Sequence, residues 1–437
     1  MKRLFPMLAA LTLAVWTLAG LAEEPGRTIV GVNIGSPGDN AIPLALPDPK
    51  GGAPQSAEFW AVIKRDLELS GYFNIIGSAA SIEPATAGLK PGEFQFSDWR
   101  TVGAAVLAKT GEVLDGGTLR TEVWVYDVGA GEKLGARAFT APTTGNRSMA
   151  HRVANEIMFL ATGHRGFFDT RFAFTGSFTG NKEIYVMDVD GYARRQITKN
   201  GSINLKPRWN PAGNALAFTS YFAGNPDLYI ADMRAGKGQI RRISSRNGIN
   251  TGGAFSPDGS KVVVTLTMGG DADLYLLDSA TGNQISRLTT APGIDTSATW
   301  SPDGSQLAFV SERGGGAQIY IMSAGGGEAR RVTFAGSQNT DPSWSPKGDK
   351  IAFVSRDGNF DVFTTGIDGK GLNRITQGQG DNEDPSWSPD GDYLAFSSTR
   401  SGGSQIWIAS ADGRHQIQVT SGGGGYTNPH WSPHLSW

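Results

Sequence analysis

A repeat that fills the second half of this chain constrains its fold more than any other feature. An aromatic residue followed by serine or asparagine and then proline occurs six times, at spacings of 46, 45, 44, 43 and 44 residues. The copies begin at Trp209, Phe255, Trp300, Trp344, Trp387 and Trp431. Most continue into Asp-Gly or a close relative, which favours a tight turn because proline fixes φ and glycine tolerates positive φ.

Three short apolar runs accompany each copy, rich in β-branched and aromatic residues, as in Leu307–Phe309, Ile319–Tyr320 and Val332–Thr333. Glycine is abundant, with 60 of 437 residues, and it supplies the many turns that short strands need. Four short strands in a repeat of this length are typical of a propeller blade. We therefore predict an all-β six-bladed β-propeller over residues 167–437, with an all-β solenoid as the alternative.

The register of the repeat predicts how the ring closes. Apolar strand runs begin at Phe172, before any aromatic-Ser/Asn-Pro copy, and the last copy, at Trp431, has no blade after it. One end of the array lacks an inner strand, and the other end has one to spare. We expect residues 428–433 to supply the inner strand of the blade that begins near Phe168, because closure removes exposed sheet edges.

The first residues have the order of a secretory signal. Lys2 and Arg3 precede an almost entirely apolar run from Leu4 to Leu18, and small residues follow up to Ala22. This order predicts cleavage between Ala22 and Glu23 and export to the periplasm, with no direct membrane insertion after the signal is removed. A retained N-terminal anchor is the alternative.

Composition excludes several function classes. The formal net charge is −2, which argues against nucleic-acid binding because such proteins usually show a basic excess. The sequence has no cysteine, so disulfides, thiolate metal sites and cysteine nucleophiles are excluded. An exported protein without cysteine fits a bacterial periplasm, where folding need not depend on disulfides.

Residues 37–164 lack the repeat and predict a separate α/β domain. Phe59, Ile63 and Leu67 share one face of a helix over residues 56–70. A second helix is expected over residues 147–162, with Asn146 as its N-cap and Gly163 at its end. Residues 163–166 are the expected hinge to the propeller. A Gly-rich joint at residues 35–39 would leave residues 23–36 as a mobile segment.

The sequence lacks catalytic signatures such as G-x-S-x-G and H-E-x-x-H, so we expect neither an enzyme nor a cofactor. Asp341, Glu383 and Asp384 form the one notable acidic set. They precede repeat motifs and are candidates to hold a cation in the channel. The alternative is that these carboxylates bind local backbone.

Two surfaces are candidates for partner binding. The loops that enter the inner strands converge on the channel mouth and are rich in hydrogen-bonding side chains. Their candidate residues are Asn250, Thr251, Asp295, Thr296, Thr340, Asp341, Glu383, Asp384 and Thr427. The second surface is the apolar N-terminal segment, which is suited to adding a strand to a partner's sheet. Its candidate residues are Thr28, Ile29, Val30, Val32 and Ile34. The alternatives are residues that only cap strands and an ordinary edge strand.

The assembled features resemble the TolB family, periplasmic components of the bacterial Tol–Pal system, over essentially the whole chain. The helix at residues 57–70 is followed by Gly71-Tyr-Phe-Asn74. The junction runs from Arg165 to Arg171, and the last repeat reads Trp431-Ser-Pro433. The resemblance implies the α/β domain and the propeller that the residues predict.

The resemblance also implies a function. Family members are not enzymes. Their propeller binds the peptidoglycan-associated lipoprotein Pal at a channel mouth, where Thr296 matches a family position, and their mature N-terminus is linked to TolA of the inner-membrane complex. The system maintains outer-membrane integrity and supports envelope constriction at cell division. On this basis we expect a monomeric adaptor. A periplasmic hydrolase that uses channel carboxylates, or an unspecified binding module, is the alternative.

Overall fold

A computed structural model describes residue 29 and residues 34–51, 56–84, 86–234 and 239–435. The predicted signal peptide and its cleavage site between Ala22 and Glu23 lie outside these residues, as does most of the segment 23–36. In the described part of the chain, no helix has both the length and the apolar character needed to cross a membrane. The architecture confirms the predicted fold class, with an α/β domain followed by a six-bladed β-propeller.

The N-terminal domain is built on one five-stranded sheet. Its strands are β1 (Ile42–Ala45), β2 (Phe73–Ile76), β3 (Val106–Asp115), β4 (Thr118–Asp127) and β5 (Glu132–Pro142). The helices are α1 (Ser56–Leu69), α2 (Phe96–Thr101) and α3 (Asn146–Thr162), with single 3₁₀ turns at Ser78–Ala80 and Thr143–Gly145. The strand order is β2-β1-β3-β4-β5, and β1 is parallel to both neighbours. Helix α1 makes the crossover that the parallel pair β1–β2 requires.

The two long helices lie where the sequence predicts them. The expected apolar face of α1 is fully buried in the domain core. Gly163 ends α3 in the left-handed conformation, with φ of 81° and its N–H donating to the Phe159 carbonyl. The prediction that Asn146 caps α3 is wrong. The cap residue is Gly145, because a 3₁₀ turn runs directly into the helix and makes Asn146 its first helical residue.

Six four-stranded antiparallel sheets form the propeller. Blade 1 begins with β6 (Arg171–Gly176), β7 (Glu183–Asp188) and β8 (Arg195–Gln196). Blade 2 contains β9 (Asn204–Trp209), β10 (Ala215–Ser220), β11 (Asp227–Asp232) and β12 (Ile240–Ser244). Blade 3 contains β13 (Asn250–Phe255), β14 (Lys261–Leu266), β15 (Asp273–Asp278) and β16 (Gln284–Arg287).

The second half of the ring repeats the same plan. Blade 4 contains β17 (Asp295–Trp300), β18 (Gln306–Ser311), β19 (Gln318–Ser323) and β20 (Ala329–Arg331). Blade 5 contains β21 (Gln338–Trp344), β22 (Lys350–Asp357), β23 (Asn359–Gly366) and β24 (Asn373–Arg374). Blade 6 contains β25 (Asn382–Trp387), β26 (Tyr393–Ser398), β27 (Gln405–Ser410) and β28 (Gln416–Gln418). The last strand, β29 (Thr427–Trp431), joins blade 1.

Strand β29 closes the ring as the register predicts. It pairs antiparallel with β6, so that Trp431 lies opposite Phe172 and blade 1 is completed from both ends of the array. Trp431 is buried, and its indole N–H donates to Thr170 Oγ1 at 2.7 Å. Its ring makes edge contacts with Phe167 and Phe172 at centroid distances of 5.2 and 4.9 Å. The closing strand is therefore held by packing as well as by backbone pairing.

The propeller has two different faces. We call the face formed by the loops that enter the inner strands and by the connections between second and third strands the loop face. The turns between first and second strands, and between third and fourth strands, form the turn face. The N-terminal domain docks against the turn face of blades 1 and 6. Tyr393 Oη donates to the Ser70 carbonyl at 2.7 Å, and Arg414 pairs with Asp39 at 2.5 Å. A single apolar cluster continues from the domain into these two blades.

A buried set of charges joins the same two parts. His151 on α3 lies 2.7 Å from Asp66 on α1 and 3.6 Å from Asp188 at the end of β7. Arg147, one turn before His151, pairs with Asp190 at 2.6 Å and with Asp188 at 3.3 Å. Burial alone would lower the pKa of His151, but the neighbouring carboxylates outweigh it and raise that pKa to about 10. Burial raises the pKa of Asp66 to about 6. The His151–Asp66 pair is therefore ionised between these two pH values.

Removing residues 426–437 should open the ring. The deletion takes away β29, exposes the edge of β6 and leaves Phe167 and Phe172 without Trp431. Loss of a buried aromatic side chain alone costs about 3–5 kcal/mol. We expect a lower melting temperature and aggregation, measured by circular dichroism and light scattering. Trp387→Ala is the control, because it removes an equivalent blade tryptophan and leaves the ring closed. A soluble deletion variant with the melting temperature of the intact protein would contradict closure by β29.

Replacing His151 should weaken the interface between the domain and the propeller. His151→Leu leaves Asp66 buried without its cation, and breaking a buried pair in this way costs about 3–5 kcal/mol. Because the folded-state pKa of His151 is raised, its stabilisation is complete below its ordinary value of 6.5 and is lost as pH rises toward about 10. We expect the free energy of unfolding to fall over this window in the intact protein.

The pH dependence separates a charge effect from lost packing. His151→Leu should flatten the fall in unfolding free energy between these pH values, whereas His164→Leu, at an exposed histidine of the same domain, should leave it unchanged. The same fall in both variants would show that His151 is not its source. The measurement is chemical denaturation at a series of pH values.

Candidate functional site

The residues predicted as entering loops form the first part of the inner strands. In every blade the pairing between first and second strand shifts by a bulge after the first, second or third residue of the inner strand. Each bulge has a residue with positive φ at the same repeat position, and in blade 3 the next residue, Gly253, has positive φ as well. Positive φ is uncommon outside glycine. We call the six residues at this repeat position the channel ring: Lys206, Gly252, Ser297, Asp341, Asp384 and Asn428. Four of them line one narrow cavity together with Arg208, so the bulges bring blades 1, 2, 5 and 6 together in the channel.

An ion pair crosses the channel. Lys206 Nζ of blade 2 lies 2.7 Å from Asp341 Oδ1 of blade 5, and these blades are opposite each other in a ring of six. Asp384 of blade 6 accepts a hydrogen bond from the Asn428 N–H at 3.1 Å. The loop that contains Lys206 was expected to enter an inner strand at the channel mouth, but Lys206 was not among the candidate residues, and Arg208 was not predicted as a channel residue. Superposing the repeats would have found Lys206, because it occupies the same repeat position as Asp341 and Asp384.

The channel carboxyls respond differently to burial. Burial would raise the pKa of Asp341, but the Lys206 ammonium outweighs it, so the net shift is downward. Burial and the negative charge of Asp341 raise the pKa of Asp384. The pKa of Glu383 is raised to about 6. The main cause is partial burial of its carboxyl, and the second is the negative charge of Asp384. The mouth therefore contains two kinds of carboxyl group. Asp341 is neutralised by Lys206, whereas Glu383 and Asp384 take up a proton at a higher pH than is usual for their residue types.

This arrangement bears on whether Asp341, Glu383 and Asp384, the candidate residues for a channel cation, could hold one. The Lys206 ammonium occupies the contact with Asp341 that a cation would need. Among the described residues, the group with a spacing suited to a metal ion is His151, Asp188 and Asp190 at the domain interface. Arg147 already binds both aspartates there, so that cluster carries its own positive charge.

Two of the predicted partner-binding residues are buried inside the blades. Asn250 accepts hydrogen bonds from Ser244 Oγ at 2.6 Å and from the Arg246 N–H at 2.9 Å, which fixes the preceding loop. Asp295 pairs with Arg313 at 3.0 Å. Both side chains are almost fully buried, so they support the loop face from within.

The other predicted mouth residues are accessible. Glu383 is exposed, and the rest are partly exposed: Thr251, Thr296, Thr340, Asp341, Asp384 and Thr427. Thr251 and Thr296 line a cavity of about 180 Å³ between blades 2, 3 and 4, together with Leu205 and Tyr221. The mouth therefore offers hydroxyl and carboxyl groups beside an apolar recess.

The predicted N-terminal partner segment is only partly described. Thr28, Val30 and Val32 lie outside the described residues. Ile29 is buried in the core of the N-terminal domain, and Ile34 packs against the same cluster. These two side chains contribute to the fold of the domain in this structure.

Family models match most of the chain. A model described as the TolB beta propeller domain matches residues 160–359 and 342–436, and one described as the TolB amino-terminal domain matches residues 30–134. A crystal structure of TolB from Acinetobacter baumannii is similar over 92% of this chain and 99% of that one, with a TM-score of 0.81 and 28% identity.

Curated relatives share similarity over a shorter stretch. Tol-Pal system protein TolB of Geobacter sulfurreducens is 38% identical over 219 residues, which is 49% of each chain. Tol-Pal system protein TolB of Xanthomonas campestris is 35% identical over 225 residues, or 50% of each chain. The matched stretch thus spans about half the length of these relatives.

Proposed function

The chain belongs to the TolB family, and on that premise we propose that it is a non-catalytic periplasmic adaptor of the Tol–Pal system. In this proposal the propeller binds the lipoprotein Pal, and the N-terminal segment binds TolA of the inner-membrane complex. The adaptor thereby supports outer-membrane integrity and envelope constriction during cell division. Its export depends on the predicted signal peptide, residues 1–22.

The observation that carries the Pal assignment is the position of the N-terminal domain. It occupies the turn face of blades 1 and 6, where Tyr393 and Arg414 hold it. No described residue of the domain hydrogen-bonds to the loop face. The domain therefore takes up part of the turn face, and the channel end of that face, lined by Trp209, Trp300 and Trp344, stays accessible beside it. A large partner finds more room on the loop face.

The chemistry of the loop face supports a protein partner. Thr251 and Thr296 present hydroxyl groups beside the recess lined by Leu205 and Tyr221, which suits an inserted loop with both polar and apolar groups. Across the mouth, Glu383 and Asp384 add negative charge. The Lys206–Asp341 pair holds opposite sides of the channel in place beneath them.

We expect Thr296→Arg and Glu383→Arg to weaken Pal binding by at least tenfold, or about 1.4 kcal/mol. Arginine at residue 296 would fill the recess, and arginine at residue 383 would reverse the charge of the rim. The measurement is titration calorimetry with purified Pal lacking its lipid. Asp341→Arg should also weaken binding, but it breaks the pair with Lys206 and so gives a less specific test.

Glu328→Arg is the matched control, because it reverses an exposed charge on the turn face of blade 4. It should leave the affinity for Pal unchanged. All variants should keep the melting temperature of the intact protein, apart from Asp341→Arg. Unchanged binding by both loop-face variants, together with lost binding by Glu328→Arg, would assign Pal to the opposite face.

Removing residues 23–34 should abolish TolA binding and leave Pal binding intact, because the two partners are assigned to different parts of the chain. The deletion also removes Ile29 from the core, so the N-terminal domain should lose stability. Ile29→Ala provides the control, since it removes the same core contact at a cost of about 2–5 kcal/mol and keeps the segment. Normal TolA binding by the deletion variant would reject the assignment.

A further inference from the structure

Blades 4 and 6 each place an arginine in the same internal site. In blade 4, Arg313 donates to Asp295 at 3.0 Å and to Ser311 Oγ at 2.7 Å. Its guanidinium lies 5.3 Å from the ring centres of both Phe309 and Tyr320. The site therefore combines an acceptor at the start of the inner strand, a serine at the end of the second strand and an aromatic pair.

Blade 6 repeats this arrangement with Arg400. This side chain donates to Asn382 Oδ1 at 2.8 Å and to Ser398 Oγ at 2.9 Å. It lies over Trp407 at 4.6 Å and over Phe396 at 5.4 Å. The amide oxygen of Asn382 thus accepts the guanidinium in blade 6, as the carboxylate of Asp295 does in blade 4.

Blade 5 contains the same receptor without the arginine. Ser355 pairs with Asn339 in the register in which Ser398 pairs with Asn382. The rings of Phe353 and Phe363 are stacked at a centroid distance of 5.9 Å. The residue at the arginine position, two after the serine, is Asp357. Blades 4 and 6 thus place a guanidinium at this site, whereas blade 5 supplies a carboxylate. Blades 1, 2 and 3 carry Phe178, Phe222 and Met268 at the same position.

One acceptor of the blade 5 site has no donor. Asn339 is fully buried, and its Nδ2 donates to Gln318 Oε1 and to the Ala335 carbonyl, both at 2.8 Å. These two bonds fix the orientation of the amide. No donor within the described ranges reaches Asn339 Oδ1, whereas the equivalent Asn382 Oδ1 receives Arg400. Buried polar atoms without a partner are rare, so this oxygen requires an explanation.

A cavity of about 710 Å³ lies beside this acceptor, where residues 332–337 pass from blade 4 to blade 5. Phe353, Phe363, Ser355 and Asp357 line it, as does Gly336. A methyl group built on Gly336 would lie 2.3 Å from Ser355 Oγ and 3.4 Å from Asn339 Oδ1. Ser355 lines the cavity, and Asn339 Oδ1, which is not itself part of the lining, lies close to the lining residue Gly336.

The cavity lies beside a connection in blade 5 that is one residue shorter than in the other blades. Five residues separate the paired Ser355 and Asp361, against six between the equivalent residues elsewhere, and strand pairing continues through them. The rim of the cavity carries two exposed apolar side chains, Phe334 at 71% and Leu372 at 51% exposure. The volume is within the range of about 300–1,000 Å³ typical of ligand sites.

Two cations near the cavity are already accommodated. Arg374 lines the cavity, pairs with Asp361 at 2.5 Å and lies over one side of the Phe363 ring at 5.6 Å. The exposed Arg356 lies over Phe360 at 5.4 Å. Blade 4 shows that a further guanidinium fits beside the first, because Arg331 occupies the position of Arg374 there and Arg313 is also bound. Asp357 at the rim adds a carboxylate that blades 4 and 6 lack.

We propose that the cavity between blades 4 and 5 binds the guanidinium of an arginine side chain from a peptide segment of a partner protein. The guanidinium lies over Phe353 and Phe363 and donates to Asn339 Oδ1 and Ser355 Oγ, as Arg400 does in blade 6. The residues flanking the arginine contact Phe334 and Leu372, which is why the occupant is a peptide. This site is separate from the channel mouth and does not depend on the proposed function.

The test compares three probes on the full-length protein by nuclear magnetic resonance. The probes are the peptide Ac-Phe-Arg-Gly-NH2, the same peptide with citrulline, which has the shape of arginine but no charge, and guanidinium ion. We expect saturable shifts of the Asn339 side-chain amide with the arginine peptide up to about 10 mM, a range suited to a single anchoring contact. The citrulline peptide and guanidinium ion should bind at least tenfold more weakly.

Matched substitutions locate the binding. Ser355→Ala and Phe363→Leu should each weaken the arginine peptide at least threefold, whereas Ser398→Ala, in the filled site of blade 6, should not change its affinity. Equal binding of the arginine and citrulline peptides would overturn the proposal, as would shifts that do not reach Asn339. Guanidinium ion that binds as tightly as the peptide would overturn the assignment of a peptide partner.

Discussion

The pairing of β29 with β6 is the contact on which the rest of this structure depends. Each blade presents its apolar faces to two neighbours, and only a closed ring gives every blade both of them. Trp431 strengthens the pairing by contacting Thr170, Phe167 and Phe172 at the point where the propeller begins. The N-terminal domain then docks on blades 1 and 6, the two blades that this closure brings together. The domain thus covers the seam, and the ion cluster around His151 links it to the first blade.

Local sequence patterns were sufficient to predict the architecture. The spacing of the aromatic-Ser/Asn-Pro copies fixes the number of blades, and the unpaired copy at Trp431 predicts closure, because strand pairing must be complete around a ring. The periodicity of Phe59, Ile63 and Leu67 predicts α1 because one helix face must be buried. The N-cap of α3 was wrong because a preceding 3₁₀ turn, which sequence did not indicate, carries the chain straight into the helix.

The site was harder to predict because its contacts join distant blades. Lys206 and Asp341 are 135 positions apart and meet only because blades 2 and 5 lie opposite each other. Asn250 and Asp295 look like surface residues in sequence, but both are buried. Asn250 accepts a hydrogen bond from Ser244, and Asp295 pairs with Arg313. Small differences between repeats carry the remaining information. Blade 5 has Asp357 in place of the arginine of blades 4 and 6, in a connection one residue shorter, and no donor among the described residues reaches Asn339 Oδ1.

The closing strand also has a consequence for how the chain is made. Thr427 and Thr175 contact each other although 252 positions separate them, so the blade begun first is completed last. The ribosome makes the chain from its N-terminus, so β6 is made long before β29, the strand that pairs with it. Until β29 is available, the edge of β6 is unpaired and can pair with strands of other chains. The propeller can therefore close only after synthesis of the chain has reached Trp431, and until then the incomplete ring must be kept from aggregating.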